Sequence, residues 1–328
     1  MLTLSSHTFQ YFVVRAGNGI FALVTLVIFS RLLSPTEYGL YALGTSIATV
    51  ASGVLFQWLN LAVGRFYVGE TDDKRKVSEI ATLGFWVSTA AAAILFIGVL
   101  PIREVLGVEL VLFFIVFLIT VFIGRHTLAL QLANAESRPF QYGLLSWAKC
   151  IGTLVGGIIL IGYGIGGTGA LMGILTGLVF SQIVFDPQPL IPVKFTGFDK
   201  RLAKLMFCYG LPLTFNNLAL ALVDVADRFL ILSLLGMAHV APYSVAYDLV
   251  QQLVGPLMNV LFLAAFPLIV RMFETAGGES ISLQLHALGS SLIRFGLPCA
   301  ISVGYFASDI SEIFFSDDYH KDAAASLW

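Results

Sequence analysis

Charge placement constrains this chain more than any other feature. Apolar stretches of about 20 residues recur nine times, and Lys and Arg gather almost wholly in alternate gaps between them. Each stretch is long enough to cross a hydrocarbon core of about 30 Å. A mean hydropathy of +0.89 with 12% charged residues suits no water-soluble domain of this size. The pattern predicts an all-α polytopic membrane protein of about nine transmembrane helices, with spans at 11–33, 38–62, 79–102, 108–133, 141–163, 168–186, 205–235, 240–270 and 286–308. With the first residues in the cytoplasm, the inner gaps hold Arg65, Lys74, Arg75, Lys76, Arg125, Arg138, Lys194, Lys200, Arg201, Lys204 and Arg271. The outer gaps hold only Arg31, Arg103 and Lys321. The positive-inside rule then predicts a multi-pass protein with a cytoplasmic N-terminus.

Other classes are excluded by what the residues lack. No Lys or Arg precedes Arg15 and no small-residue cleavage site follows, so the first apolar run reads as a retained span. Cys150, Cys208 and Cys299 form no CxxC pair and read as buried free thiols. The five histidines show no HxxxH or HExxH spacing, and no GxxxxGK[ST] loop occurs, so no metal or other cofactor is expected. The glycine-rich run at 162–173 reads as the turn between spans five and six, lacking the Lys and soluble helix a phosphate loop needs. A net charge of −2 without a basic soluble domain leaves no nucleic-acid partner. The longest loop, 187–204, is too short for a catalytic domain, so the chain reads as a transporter and not an enzyme.

An internal repeat organises the spans. The segment from Leu32 (LLSPTEYGLYALG) is matched by that from Leu234 (LLGMAHVAPYSVA), with Tyr41 falling on Tyr243. Six spans separate the copies, so both face the same way, as in transporters built from parallel halves. The expected organisation is a six-helix N-terminal lobe (1–186), a cytoplasmic linker (187–204) and a partial three-helix C-terminal lobe (205–328). On this reading a symmetrical second lobe needs about three more spans, and the chain is expected to be a truncated version of a longer transporter.

Two motifs carry a family resemblance. Arg31-Leu32-Leu33-Ser34-Pro35 followed by Glu37-Tyr38-Gly39-Leu40-Tyr41, and Asp227-Arg228 followed by Tyr243-Ser244-Val245-Ala246-Tyr247, resemble the signatures of polysaccharide biosynthesis proteins of the Wzx type. Those are flippases within the multidrug/oligosaccharidyl-lipid/polysaccharide (MOP) exporter superfamily. The resemblance implies a two-lobe MOP/MATE-like architecture in a bacterial or archaeal inner membrane. It also implies alternating-access transport of a polyprenyl-diphosphate-linked oligosaccharide for surface polysaccharide. The implied partners are that carrier, membrane lipids, H+ or Na+, and the polymerase and glycosyltransferases of the same pathway. A cation-coupled multidrug exporter of the superfamily is the alternative within transport. An integral-membrane polysaccharide polymerase or ligase, or a purely scaffolding protein, lies outside it.

Ionisable groups inside a bilayer are costly, which makes them site candidates. Arg15, Lys149 and Arg294 each lie about eight residues, or about 12 Å, from the cytoplasmic end of a span, and Arg125 lies at similar depth. Together they are expected to line an inward-open cavity that attracts a lipid diphosphate. The seventh span carries a polar stripe of Asn217, Asp224, Asp227 and Arg228, in which Asp224 and Arg228 at i,i+4 suit an intrahelical ion pair. Asp248, with Gln251 and Gln252, extends that stripe onto the next span as a gating or ion-coupling surface. Tyr38 and Tyr41 read as interfacial-belt residues, and Phe66-Tyr67 and the Phe-rich run 112–122 as lipid-facing.

Overall fold

The computed structural model describes residues 2–67, 71–105, 109–185, 199–252, 289–290, 293–294, 296–298 and 301–315. Among them every regular element is helical: α1 (Leu2–Leu32), α2 (Pro35–Phe66), α3 (Thr71–Val105), α4 (Leu110–Ala135), α5 (Pro139–Leu160), α6 (Gly166–Phe185), α7 (Lys200–Leu235), α8 (237–252) and α9 (Ala307–Phe314). This is the all-α membrane architecture that the hydropathy predicts. Five described stretches are long and apolar enough to cross a bilayer, and the fifth, Pro139–Phe185, runs 47 residues and folds back on itself as α5 and α6. The proposed eighth span lies largely outside the described residues, and the ninth is described at 289–290, 293–294, 296–298 and 301–308.

The helices outrun the predicted spans because hydropathy registers only the lipid-immersed part. At about 1.5 Å per residue, the 32 residues of α2 extend about 48 Å, well past a core of about 30 Å. α2 starts where Ser34 and Glu37 form a capping box and Pro35 occupies the first turn, satisfying amides that would otherwise be unpaired. α7 starts at Lys200, inside the segment read as linker, because the Asp199 side chain accepts a hydrogen bond from the Leu202 amide at 2.9 Å.

Helices in lipid gain little from burying apolar surface against one another, so close packing of small residues must hold them. α5 and α6 show this most clearly. A Cβ on Gly177 would lie 2.4 Å from the Lys149 carbonyl oxygen, and one on Gly173 would lie 2.6 Å from the Gly157 Cα. The reversal between them is a π-helical turn, Ile161–Ile165, with positive φ at Gly164 and Gly166. It seats on the α2 cap, where a Cβ on Gly167 would meet the Glu37 carbonyl.

α2 is the central element, packing on α3, α4, α6 and α7. Near its N-terminus, Tyr38 and Ala42 join Leu26 and Phe29 of α1, Val245 and Leu249 of α8, and Ala307 of α9 in one apolar cluster. At its other end, Phe56, Leu59 and Val63 cluster with Val77 and Ile80 of α3, Leu128 of α4 and Met206 of α7. Tyr38 is therefore no belt residue: it is 1% exposed and sits edge-on to Tyr41, because α8 covers the face that a lone hairpin would present to lipid. Tyr67 is likewise buried and donates to Glu136 Oε1 at 2.8 Å, a partner at the C-cap of α4.

Candidate functional site

α2 and α7 run antiparallel and touch along their length. Gly210 of α7 lies against the Trp58 carbonyl at one end, and at the other Gly39 lies against the carbonyl of Met237, the first residue of α8, just past the end of α7. Between these contacts the seam becomes polar. Arg228, 8% exposed, donates from Nη1 to Ser46 Oγ of α2 at 2.8 Å and from Nη2 to Asp248 Oδ1 of α8 at 2.5 Å. Its guanidinium also stands 5.6 Å from the centre of the Tyr247 ring. One planar fork thus ties three helices, a geometry that a Lys ammonium does not reproduce.

The intrahelical pairing expected of Arg228 is corrected by this arrangement. Asp224 has the right i,i+4 spacing, but the guanidinium turns towards α2 and α8, where two oxygen acceptors satisfy separate nitrogens. Asp224 instead lines a cavity of about 180 Å³ with Thr45, Ser46, Thr49, Arg228 and Gln251. Asp227 is exposed and accepts from the Tyr243 hydroxyl at 2.6 Å. Asn217 is half-buried on α7, two turns before Asp224.

The cations form a different group. α1 and α5 are parallel neighbours: Trp147 Nε1 donates to the Val14 carbonyl at 3.3 Å, and Cys150 lies beside Asn18. Arg15 and Lys149 consequently sit about one helical turn apart on adjacent helices, Arg15 exposed and Lys149 half-buried. Lys149 and Arg125 both act electrostatically on His126, which is buried between α4 and α6 with Nδ1 3.2 Å from Ser181 Oγ. Arg294 is exposed on a short described stretch. Lys149 and Arg125 thus share His126 as a neighbour within the first six helices, while Arg228 meets Asp248 at the seam.

Sequence reasoning missed Ser46 and its neighbours Thr45 and Thr49. It also missed Gln57, Asn60, Gly64 and Arg65 farther along α2, which with Gln131 and Tyr209 surround a second cavity of about 350 Å³. The signal was there: Gln57, Asn60, Gly64 and Arg65 recur at i, i+3, i+7 and i+8, a polar stripe on one face of an otherwise apolar helix.

Among the described residues the chain is an all-helical polytopic membrane bundle with a buried charged fork at a helix seam, and comparison with solved structures finds a similar fold. An inward-facing multidrug resistance MATE family transporter of the MOP superfamily is similar at a TM-score of 0.71 and 14% identity, over 94% of this chain and 76% of that one. A MATE protein in a straight conformation is similar at a TM-score of 0.52 and 14% identity, over 98% of this chain and 77% of that one. A sequence search of curated proteins finds no match. The family profile described as polysaccharide biosynthesis protein matches residues 28–324, and the chain belongs to that family.

Proposed function

We propose that this protein moves a polyprenyl-diphosphate-linked oligosaccharide from the cytoplasmic to the outer leaflet by alternating access, as a step in making a surface polysaccharide. The observation that carries this reading is the coincidence of two independent findings: a polysaccharide-biosynthesis sequence profile over most of the chain and the fold of a MATE transporter. On this reading the N-terminus is cytoplasmic, residues 1–186 and 205–328 belong to opposing lobes, and 187–204 links them. The α2–α7 seam is then part of the boundary that opens and closes. Arg15, Lys149, Arg125 and Arg294 supply positive charge for the diphosphate. The Arg228–Asp248–Ser46 fork fastens the seam, and Asp224, free to reach water in its cavity, is the carboxylate we assign to coupling by H+ or Na+. The work is translocation, with no bond made or broken.

The test is deletion of the gene in its host, with surface polysaccharide and lipid-linked precursor measured. Precursor should accumulate on the cytoplasmic leaflet and surface polymer should fall at least ten-fold, with rescue by the wild-type gene but not by Arg228→Ala. Unchanged polymer would sink the flippase. A second reading, a cation-coupled drug exporter, is favoured by the carboxylate of Asp224 in the seam cavity. It requires the deletion to raise sensitivity to cationic drugs and leave polymer intact.

A further inference from the structure

The cavity at the far end of α2 from its cap has a composition unlike the rest of the bundle. α2 contributes Gln57, Asn60, Gly64 and Arg65 from one face, α4 contributes Gln131, and α7 contributes Tyr209. Its volume of about 350 Å³ lies within the range of small-ligand sites, roughly 300–1,000 Å³, whereas the 180 Å³ space beside Asp224 falls below it. Three carboxamides converge here, and each offers both donors and an acceptor. Asn60 is 8% exposed, and its Nδ2 donates to Thr127 Oγ1 at 3.0 Å, which fixes the amide. Among the described residues the Oδ1 atom has no hydrogen-bond partner, a buried acceptor left for another donor. Gly64 makes room for Gln131, since a Cβ there would meet Gln131 Nε2 at 2.4 Å. The Tyr209 ring is held edge-on by Phe66 at 5.7 Å and walls the cavity from the α7 side. Arg65 provides the charge, and among the described residues no carboxylate lines the space.

Paired carboxamides match vicinal hydroxyls, an aromatic ring matches the apolar face of a pyranose, and a guanidinium matches a phosphate. We propose that this cavity binds the membrane-proximal sugar of a glycosyl-diphosphate lipid, with Asn60 and Gln131 reading the sugar and Arg65 holding the adjacent phosphate. The proposal rests on the flippase reading and adds to it the place and residues of sugar recognition. A cationic drug would find no counter-charge here.

Binding is measured with the whole chain in lipid nanodiscs. The probes are farnesyl diphosphate and three farnesyl-diphosphate-linked monosaccharides carrying glucose, galactose or N-acetylglucosamine. At least one glycosylated probe should bind at least ten-fold tighter than farnesyl diphosphate. Asn60→Leu should erase that preference and keep farnesyl diphosphate binding within about two-fold, while Arg65→Gln should weaken every probe about ten-fold. Should Asn60→Leu fail to fold because the Thr127 bond is lost, Gln131→Leu, which leaves that bond intact, must erase the preference instead. The site is overturned if no glycosylated probe outcompetes farnesyl diphosphate, or if the preference survives these substitutions. Either result leaves the flippase reading standing on the cellular precursor measurement, which can fail independently.

Discussion

At the scale of single residues, Arg228 shows how tertiary context overrides local spacing. A buried guanidinium that loses a partner commonly costs about 3–5 kcal/mol when the pair is fully enclosed. The Asp248 side chain keeps 35% of its surface exposed, so that figure is too large here. We expect Asp248→Ala to destabilise the protein by about 1.5–3 kcal/mol, the worth of a hydrogen bond to a charged group, measured by thermal unfolding in detergent. Arg228→Lys should recover little, because one ammonium cannot reach Ser46 and Asp248 with the same planar fork. Asp224→Ala should change stability by less than about 0.5 kcal/mol, as a group that makes no ion pair in the structure. The i,i+4 spacing was visible in the sequence, but the choice of partner depends on α8 reaching Arg228, which no local pattern encodes. Tyr67 gives a pH signature outside the spans. Burial first, and then its bond to Glu136, raise its phenol above the ordinary value of 10.0. The neutral form is thus favoured by folding, so its contribution is complete below about pH 10 and is lost as pH rises past that value. Tyr67→Phe should flatten the alkaline fall in unfolding temperature.

At the scale of elements, the α5–α6 hairpin and α3 make opposite predictions for the same residue type. Gly177 faces the backbone of α5, so Gly177→Val should force the helices apart and cost at least about 1–3 kcal/mol. Gly98 of α3 has nothing within 4 Å of an added Cβ, so Gly98→Ala should stabilise by up to about 1 kcal/mol through helix propensity alone. Both are read by unfolding temperature in the same detergent. Helix existence was legible because bilayer thickness dictates a minimum apolar length. Helix ends were less so: Asp199 and Ser34 act through caps in polar sequence that hydropathy ignores. The Gln57-to-Arg65 stripe was hidden for another reason, since two carboxamides add no charge and barely dent the hydropathy of α2.

At the scale of the whole molecule, the two-lobe reading puts α2 in the first lobe, yet it packs on α7 as well as on α3, α4 and α6. On the proposed function, transport through this seam requires α7 to leave α2 at one end while the other end stays joined. On the flippase reading, Gly210→Val, whose Cβ would meet the Trp58 carbonyl, should hold α7 off α2 at that end and cut precursor translocation in the cellular assay. Full translocation by that variant would show that closure at this end is not needed. Two glycine notches, Gly39 of α2 against Met237 at the start of α8 and Gly210 of α7 against Trp58 of α2, also set a mechanical ratio. Gly39 and the Trp58 carbonyl that meets Gly210 are 19 positions apart on α2, or about 28 Å along the axis. Pivoting α7 about the first notch by only about 10° lifts the second by about 5 Å, roughly one helical pitch. On the alternating-access reading the seam would act as a lever with its fulcrum beside Gly39, so a gap of that width at one end requires almost no travel at the other.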